Sequence, residues 1–441
     1  MKIAVIGYGR QGKSAAEYWH KLNHNVTICD QNTSVIAPKW AKKQLGAKYL
    51  NNLKSFDLIV RSPMVHPSTL AKAGGNDILK KVTTTTNEFM QVCPSKNIIG
   101  VTGTKGKGTT STLITKMLEA SGKTVHLGGN IGIDPLQLLK NNIKKDDWVV
   151  LELANFQLID LKHSPHIAVC LMAVPEHQDW HINLEEYYLS KSNLFAHQKA
   201  KDIAVYNNNY ESTKFIVNVS SGQKIRFDVP NIGHKPKITE AAYVMDNTIY
   251  FDQEKVCTIN KVALKGRHNL ENICAAISAV WDIINDKQII IEVIKQPLNL
   301  GHRLEHVKTI ADIAYYNDSL STTPETTIAA IKSFKEPKIL ILGGSDKGID
   351  LEPIAIECKQ NNVKYCILTG KMANHIAEKF IKYGMSNYSI VQSGMNDIVK
   401  NANDKAKPGD VVLLSPGCAS FGDFKDYEDR GKQFKNAVLD L

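Results

Sequence analysis

The 441-residue sequence predicts an α/β fold of three domains in series, over residues 1–93, 94–299 and 300–441. Three observations predict it. Short apolar runs recur along the chain, each ending in a turn of glycine or small polar residues. Glycine-rich turns open two helical stretches, at Gly7–Gly12 and at Gly103–Gly108. The chain is also too long for one simple core. The first and third domains read as Rossmann-like, and the central one as a P-loop ATPase-type mononucleotide-binding domain.

In the first domain Ile3-Ala4-Val5-Ile6 reads as a buried strand and the residues from the glycine turn to about Leu22 as a helix. Asn25–Asp30 is a second strand, ending in an acid. This is the dinucleotide fingerprint, G-x-G-x-x-G between strand and helix with an acid about 20 residues on. It fits a ligand carrying a pyrophosphate and a ribose, whether NAD or another nucleoside diphosphate. Asp57–Val60 gives a further strand, leading into Arg61-Ser62-Pro63 as a ligand-facing turn.

In the second domain GVTGTKGKGTTST, from Gly100 to Thr112, follows the apolar Asn97–Ile99 and leads into a helical period. Backbone N–H groups of such a turn, with the positive end of the helix, face an anion. Lys107 is the lysine for the outer phosphates, with Thr109 or Thr110 placed for Mg²⁺. The pattern departs from G-x-x-x-x-G-K-[ST]: Val101 replaces the first glycine, and Gly108 reads as an insertion between lysine and hydroxyl. The competing reading is an ordinary Gly/Thr-rich loop. Trp148–Leu153 is a strand with Glu152 at its C-terminal end, either a Mg²⁺ ligand or a solvated strand-end acid. Ile167–Met172 is another strand, running into Pro175-Glu176-His177-Gln178-Asp179-Trp180-His181. Two histidines and two acids so close together mark a site. Residues 202–264 alternate β-like runs with polar turns and form the domain's far side.

The third domain repeats the βαβα form. Ala311–Ala314, Ile339–Leu342, Cys366–Leu368 and Val411–Leu414 read as strands of a doubly wound parallel sheet.

Composition narrows the function. No run of about 18 apolar residues exists, so no spanning helix is expected. The opening MKIAVIGYGRQG is a first strand rather than a signal peptide. Eight scattered cysteines without metal-like spacing suit reduced thiols in a cytoplasm and argue against zinc. The net charge of +10 is spread along the whole chain, without a basic tail or stripe. That favours phosphate-bearing small molecules over nucleic acid.

Taken in order, these motifs resemble those of the Mur ligases, ATP-dependent amino-acid-adding enzymes of peptidoglycan synthesis, across essentially the whole chain. Thr102–Lys107 is similar to the family's TGTNGK, Gly266–Asn272 to its G-x-H-N-x-x-N, and His302–Glu305 to its H-R-x-E. Leu151–Leu158, Asn317-Asp318-Ser319 and Leu414–Phe421 resemble segments of the member that adds D-glutamate to UDP-N-acetylmuramoyl-L-alanine. Another Mur-type or a folylpolyglutamate-type ligase is the alternative, the latter for its shared GKG. Departures are Lys105 for asparagine, Ala154-Asn155 for a Ser-Ser pair, Glu176 for aspartate, Leu320 for lysine and Tyr427 for phenylalanine.

The resemblance implies a role for each matched residue. Gly103, Thr104, Lys105, Gly106, Lys107, Gly108, Thr109, Thr110, Asn269, Asn272, Arg303 and Asp318 would hold ATP. Thr109, Thr110, Glu152, His177 and Lys191 would serve two Mg²⁺ ions, with Lys191 carbamylated. Gly7, Gly9, Arg10, Gln11, Gly12, Asp30, Ser62, Pro63 and Asn130 would hold the UDP-linked substrate. Thr322, Lys347, Ser420 and Tyr427 would grip D-glutamate. Lys107, Glu152, His177 and Lys191 would form the catalytic set. The protein is expected to act as a cytoplasmic monomer on small molecules, without nucleic acid or membrane.

Overall fold

Apolar runs become buried strands, and the polar turns after them gather at the C-terminal edges of parallel sheets. The computed structural model describes the whole chain except residues 131, 232, 265, 299–300, 347–349 and 421. It divides into two compact units, Met1–Leu298 and Asn299–Leu441.

The first unit holds two parallel sheets. One comprises β1 (Lys2–Ile6), β2 (Asn25–Asp30), β3 (Lys42–Leu45), β4 (Leu58–Arg61) and β5 (Val82–Thr83), in the order β3-β2-β1-β4-β5. That is the mononucleotide-binding half of a Rossmann sheet, extended by two strands. The other comprises β6 (Ile98–Thr102), β7 (Val125–Gly129), β8 (Trp148–Glu152), β9 (Ile167–Cys170), β10 (Ile203–Asn207) and β11 (Gln223–Phe227), ordered β11-β10-β9-β6-β8-β7. Residues of β6, β8 and β9 are almost all buried, as expected for strands covered on both faces by helices. β6 lies between β9 and β8, which puts the glycine loop in the middle of that edge. Within the stretch read as β-like runs, a three-stranded antiparallel sheet forms from β12 (Ala242–Met245), β13 (Thr248–Phe251) and β14 (Glu254–Thr258).

The expected boundary near Cys93 falls between the two parallel sheets, yet one hydrophobic cluster runs through both. It contains Ile3, Val5 and Trp19 of the first sheet's layer and Val149, Leu151 and Phe195 of the second's. Polar contacts reinforce the join. Buried Asp134 accepts hydrogen bonds from Ser14 (2.7 Å) and Thr85 (3.0 Å).

The second unit carries β15 (Glu305–Ile310), β16 (Ile313–Asn317), β17 (Lys338–Gly343), β18 (Val363–Thr369), β19 (Tyr388–Ile390) and β20 (Val411–Leu414), ordered β15-β16-β20-β17-β18-β19. Here the sequence reading needs two corrections. The strand expected at Ala311–Ala314 runs instead from Ile313 to Asn317. Ala311 and Asp312, both with positive φ, form the turn of a hairpin with β15. The sheet is therefore not wholly parallel; β15 is an antiparallel edge strand. Its alternation of exposed and half-buried residues carries no long apolar run to announce it.

Gly12 shows how tightly the first glycine turn packs. A Cβ there would lie 1.9 Å from the Gly7 carbonyl oxygen, whereas one on Gly9 would meet nothing within 4 Å. Gly12→Ala is expected to lower stability by about 1–3 kcal/mol in urea unfolding, with Gly9→Ala close to wild type as the control.

Candidate active site

Four loops at the sheet edges of the first unit converge. The phosphate-type loop leaves β6, and its helix, Lys107–Ala120, begins at Lys107 with Gly106 as the N-cap in left-handed conformation. A Cβ on Gly106 would lie 2.1 Å from Asn272 Oδ1, so glycine is required for this approach. Asn272 reaches the loop from the helix Arg267–Val280 and donates to Asn269 Oδ1 at 3.2 Å. The Thr110 hydroxyl lies 3.4 Å from Asn272 Oδ1. Gly108 needs reinterpretation. The Thr110 N–H donates to the Gly106 carbonyl at 2.9 Å in regular helical register. Gly108 thus occupies a position in the helix's first turn and is not an inserted bulge. Its effect is to move the first hydroxyl one residue along, to Thr109.

The loop is pinned from below. The Thr104 N–H donates to Met172 O at 2.7 Å, and Thr104 Oγ1 shares a 2.7 Å hydrogen bond with the Tyr187 hydroxyl. Tyr187 and Lys191, four residues apart on the helix Leu184–Ser192, present one face to the loop. Lys191 is 1% exposed, with its ammonium 4.5 Å over the Tyr187 ring. It donates to the Gly103 carbonyl at 3.2 Å, and Lys107 donates to that same oxygen at 3.1 Å and to Thr104 O at 3.0 Å. Burial, reinforced by the Lys107 charge, lowers the Lys191 pKa to about 7.

Glu152, 4% exposed at the end of β8, accepts from Asn130 Nδ2 at 3.0 Å. Among the described residues no cation pairs with it. A buried carboxylate held so is the donor chemistry a hard cation takes. The loop after β9 brings His177, in left-handed conformation, beside Phe156 at 4.7 Å between ring centroids. Burial holds the His177 pKa below its ordinary value against the opposing pull of Glu176, so a neutral imidazole is available to ligate a metal. Glu176 also pairs with Lys105 at 2.9 Å.

At the first sheet's edge, Asp30 braces the glycine turn by accepting from the N–H groups of Tyr8 (2.6 Å) and Asn32 (2.8 Å). Ser62 packs on Gly7, where a Cβ would meet the Ser62 Cβ at 2.8 Å. Arg10 reaches across to the carbonyls of Asn130 (2.8 Å) and Gly132 (3.0 Å). Gln11 contacts Thr85 Oγ1 at 3.3 Å. Arg61 is a correction: it does not face a ligand. It is 1% exposed and forks onto Asp160 through Nε (2.9 Å) and Nη2 (2.7 Å).

One group here was missed from sequence. His66, His181 and Glu186 bring a ligand atom each within 4.8 Å of one another, a set able to hold a metal. Their hydrogen bonds argue for a different role. The Ser68 N–H donates to His66 Nδ1 at 3.1 Å, leaving Nε2 to donate to Glu186 Oε2 at 3.2 Å. Asn155 Nδ2 meets His181 Nε2 at 2.7 Å, leaving Nδ1 to donate to the same oxygen at 3.1 Å. A metal on His66 Nε2 would need a proton on Nδ1, where the N-cap bond already points. The sequence signal was His181, in the His/acid cluster; His66, over 100 residues away, gave none.

In the second unit Asp318 is 2% exposed and accepts from the Leu304 N–H (3.1 Å) and the Ser415 hydroxyl (2.7 Å). Burial raises its pKa to about 6, against the pull of its hydrogen bonds and of Arg303. Ser319 donates to the Tyr427 carbonyl at 2.8 Å, and buried Arg430 ties Ser319 to Cys418. Asp318, Arg303 and the Ser415–Ser420 turn thus share one sheet edge. Thr322 follows that segment and Ser420 is buried; Lys347 lies outside the described residues.

Residues 101–280 match the Mur ligase middle domain, and residues 302–418 match the Mur ligase glutamate ligase domain. A Clostridium tetani protein named UDP-N-acetylmuramoylalanine–D-glutamate ligase is 37% identical over 459 residues, covering 100% of this chain and 97% of its own. The chain belongs to the Mur ligase family. A Clostridium kluyveri protein of the same name is 34% identical over 100% of this chain and 97% of its own. Among solved structures, the Thermotoga maritima UDP-N-acetylmuramate-alanine ligase superposes with a TM-score of 0.62 at 14% identity, covering 100% of this Mur ligase and 99% of that chain. The MurF ligase of the same organism, in complex with ADP, gives 0.56 at 16% identity, over 100% and 95%. These likenesses fix the fold. No helix among the described residues is long and apolar enough to cross a membrane.

The depressed Lys191 pKa carries a test of sign. Above about 7 the unfolded chain holds the proton that folded Lys191 has lost, so wild-type stability rises with pH. Lys191→Met is expected to be the more stable protein below that pH in CO₂-free urea titrations. The gap should narrow toward the ordinary lysine range; a gap constant with pH would refute the shift.

Proposed function

We propose that this Mur ligase joins D-glutamate to UDP-N-acetylmuramoyl-L-alanine, with ATP converted to ADP and phosphate, in peptidoglycan precursor synthesis. The observation that carries the reading is the loop Gly103–Thr110, with Lys107, Lys191 and Glu152 around it, in a chain matching D-glutamate ligases over its full length. A carboxylate is a poor acyl donor at neutral pH. Its oxygen therefore attacks the γ-phosphorus of ATP, giving an acyl phosphate and ADP. The amine of D-glutamate then attacks the acyl carbon, and the tetrahedral species expels phosphate and sheds the amine's proton.

Phosphoryl transfer is chiefly a matter of placement and charge. The loop N–H groups, Lys105 and Lys107 supply positive charge for the phosphates, and Asn269 and Asn272 flank them from the adjoining helix. Glu152, Thr109 or Thr110, and His177 are the groups that would hold Mg²⁺, which when bound neutralises charge on the phosphates. Lys191 suits carbamylation for a physical reason. Only an uncharged amine adds to CO₂, and its pKa near 7 leaves much of it uncharged at neutral pH. The product, an N-carboxylate formed with loss of one proton, replaces a cation that competes with Lys107 by an anion that pairs with it.

The glycine turn Gly7–Gly12, Asp30, Ser62, Pro63 and Asn130 would hold the UDP carrier. Arg303 and Asp318 would contribute to ATP, and Thr322, Lys347, Ser420 and Tyr427 to D-glutamate. The enzyme would work as a monomer in the cytoplasm.

Phosphate release should require UDP-N-acetylmuramoyl-L-alanine and D-glutamate together. L-alanine, a diamino acid, or folate with L-glutamate should not replace them. Lys107→Ala should cut kcat by about 10³-fold or more while calorimetry still detects the UDP substrate. ¹³C-bicarbonate should give a carbamate NMR signal that Lys191→Met loses. No phosphate release with the full substrate set would overturn the proposal.

A further inference from the structure

Arg61 sits at the C-terminal end of β4, buried and out of reach of any substrate, with every guanidinium nitrogen engaged. Its Nη1 donates to three carbonyls of the turn that follows, Ser62 (3.2 Å), Pro63 (3.1 Å) and Val65 (2.9 Å). Three carbonyls converging on one nitrogen define the path of that turn. The other side of the guanidinium faces the second sheet's layer, with Nη2 on Phe156 O at 3.0 Å and the fork on Asp160. Phe156 and Asp160 belong to the segment that leaves β8 directly after Glu152. A second tie runs from the His177 loop, where Trp180 Nε1 donates to Met64 O at 3.1 Å.

We propose that Arg61 is a positioning residue for the acyl-group substrate. It fixes the Ser62–Val65 turn, which packs on Gly7 of the diphosphate-type loop, at a set place relative to Glu152 and His177. The inference rests on the ligase reading, in which that turn holds the UDP-linked substrate. In-line attack on phosphorus tolerates little error in where the carboxylate lies, and a shift of about 1 Å can cost 10²-fold in rate. A lysine cannot reproduce the arrangement, since it lacks the planar fork that engages Asp160 while also reaching three carbonyls.

The test compares Arg61→Lys, Arg61→Met and the double variant Arg61→Met/Asp160→Leu, with Tm measured for each. The double variant replaces the buried ion pair by apolar groups and should regain part of the Tm that Arg61→Met loses by leaving Asp160 unpaired. It should nonetheless keep a KM for UDP-N-acetylmuramoyl-L-alanine raised about 10-fold or more, with KM for ATP within about twofold of wild type. Arg61→Lys should fall between wild type and Arg61→Met on the same KM. Recovery of both Tm and KM in the double variant would overturn the proposal, as would KM values for both substrates rising together. Failure of the ligase reading would show differently, as an inactive wild-type enzyme.

Discussion

Two lysine ammonium groups converge on one carbonyl oxygen, that of the buried Gly103. Two unit charges about 5 Å apart at an effective dielectric of about 20 repel by on the order of 3 kcal/mol. Nothing in the fold's own stability calls for this arrangement. Lys191 would be cheaper as a methionine, and Lys107 would be better solvated away from the loop. Both lysines reach the loop through its own carbonyls, and the helix Leu184–Ser192 brings the second of them to it through Tyr187 and Thr104. Like charges brought together at a half-buried loop are a common mark of a site built for what it binds.

That centre matters only if the other substrate arrives in register, and the first unit is braced for this. Its two sheets share a hydrophobic cluster, but apolar contact is non-directional and leaves sliding possible. Directional polar contacts remove that freedom. Asp134 receives Ser14 and Thr85, Arg10 crosses to Asn130 and Gly132, and Glu186 draws His66 and His181 to one oxygen. Most of these contacts stand at the C-terminal edges, where the loops meet, rather than around the rim of the interface. The directional contacts of the join are concentrated at the edge where the proposed site lies.

The strands were legible because buried parallel strands read as continuous apolar runs. β2 and β20 match their expected limits, and β8 ends one residue short of its expected run. β15 was not legible, since an edge strand half in water carries no such run. The glycine turns could be read because close packing, of Gly12 on the Gly7 carbonyl and of Gly106 on Asn272, leaves no room there for a side chain. Arg61 misled: a cation at a strand's C-terminal edge beside a Ser-Pro turn looks ligand-facing. Its partner Asp160 lies 99 positions along, beyond any local pattern. Lys191 could be placed only by resemblance, because nothing in a helix of near-uniform polarity distinguishes a buried lysine from a surface one. Tyr187, four residues before it, was the available hint.

The departures from the family's motifs are not independent of one another in space. Lys105, where the motif has asparagine, pairs with Glu176, where the motif has aspartate, and the longer acid spans the gap to the longer base. Asn155, in place of a serine, is long enough to reach the buried ring of His181 at 2.7 Å. Ala154 gives up a hydroxyl at the start of its short helix, and Gln157 caps that end from the other side, its Oε1 accepting from the Ala154 N–H at 3.0 Å. Gly108 gives up a hydroxyl in the first turn of the phosphate helix, and Thr109 follows at once. The changes at Ala154 and Asn155 fall in buried places, where an unmatched polar group costs about 1–3 kcal/mol. Lys105 and Asn155 are answered by neighbours 71 and 26 positions along the chain. A motif mismatch at such a position therefore says little about lost chemistry until its spatial partner has been found.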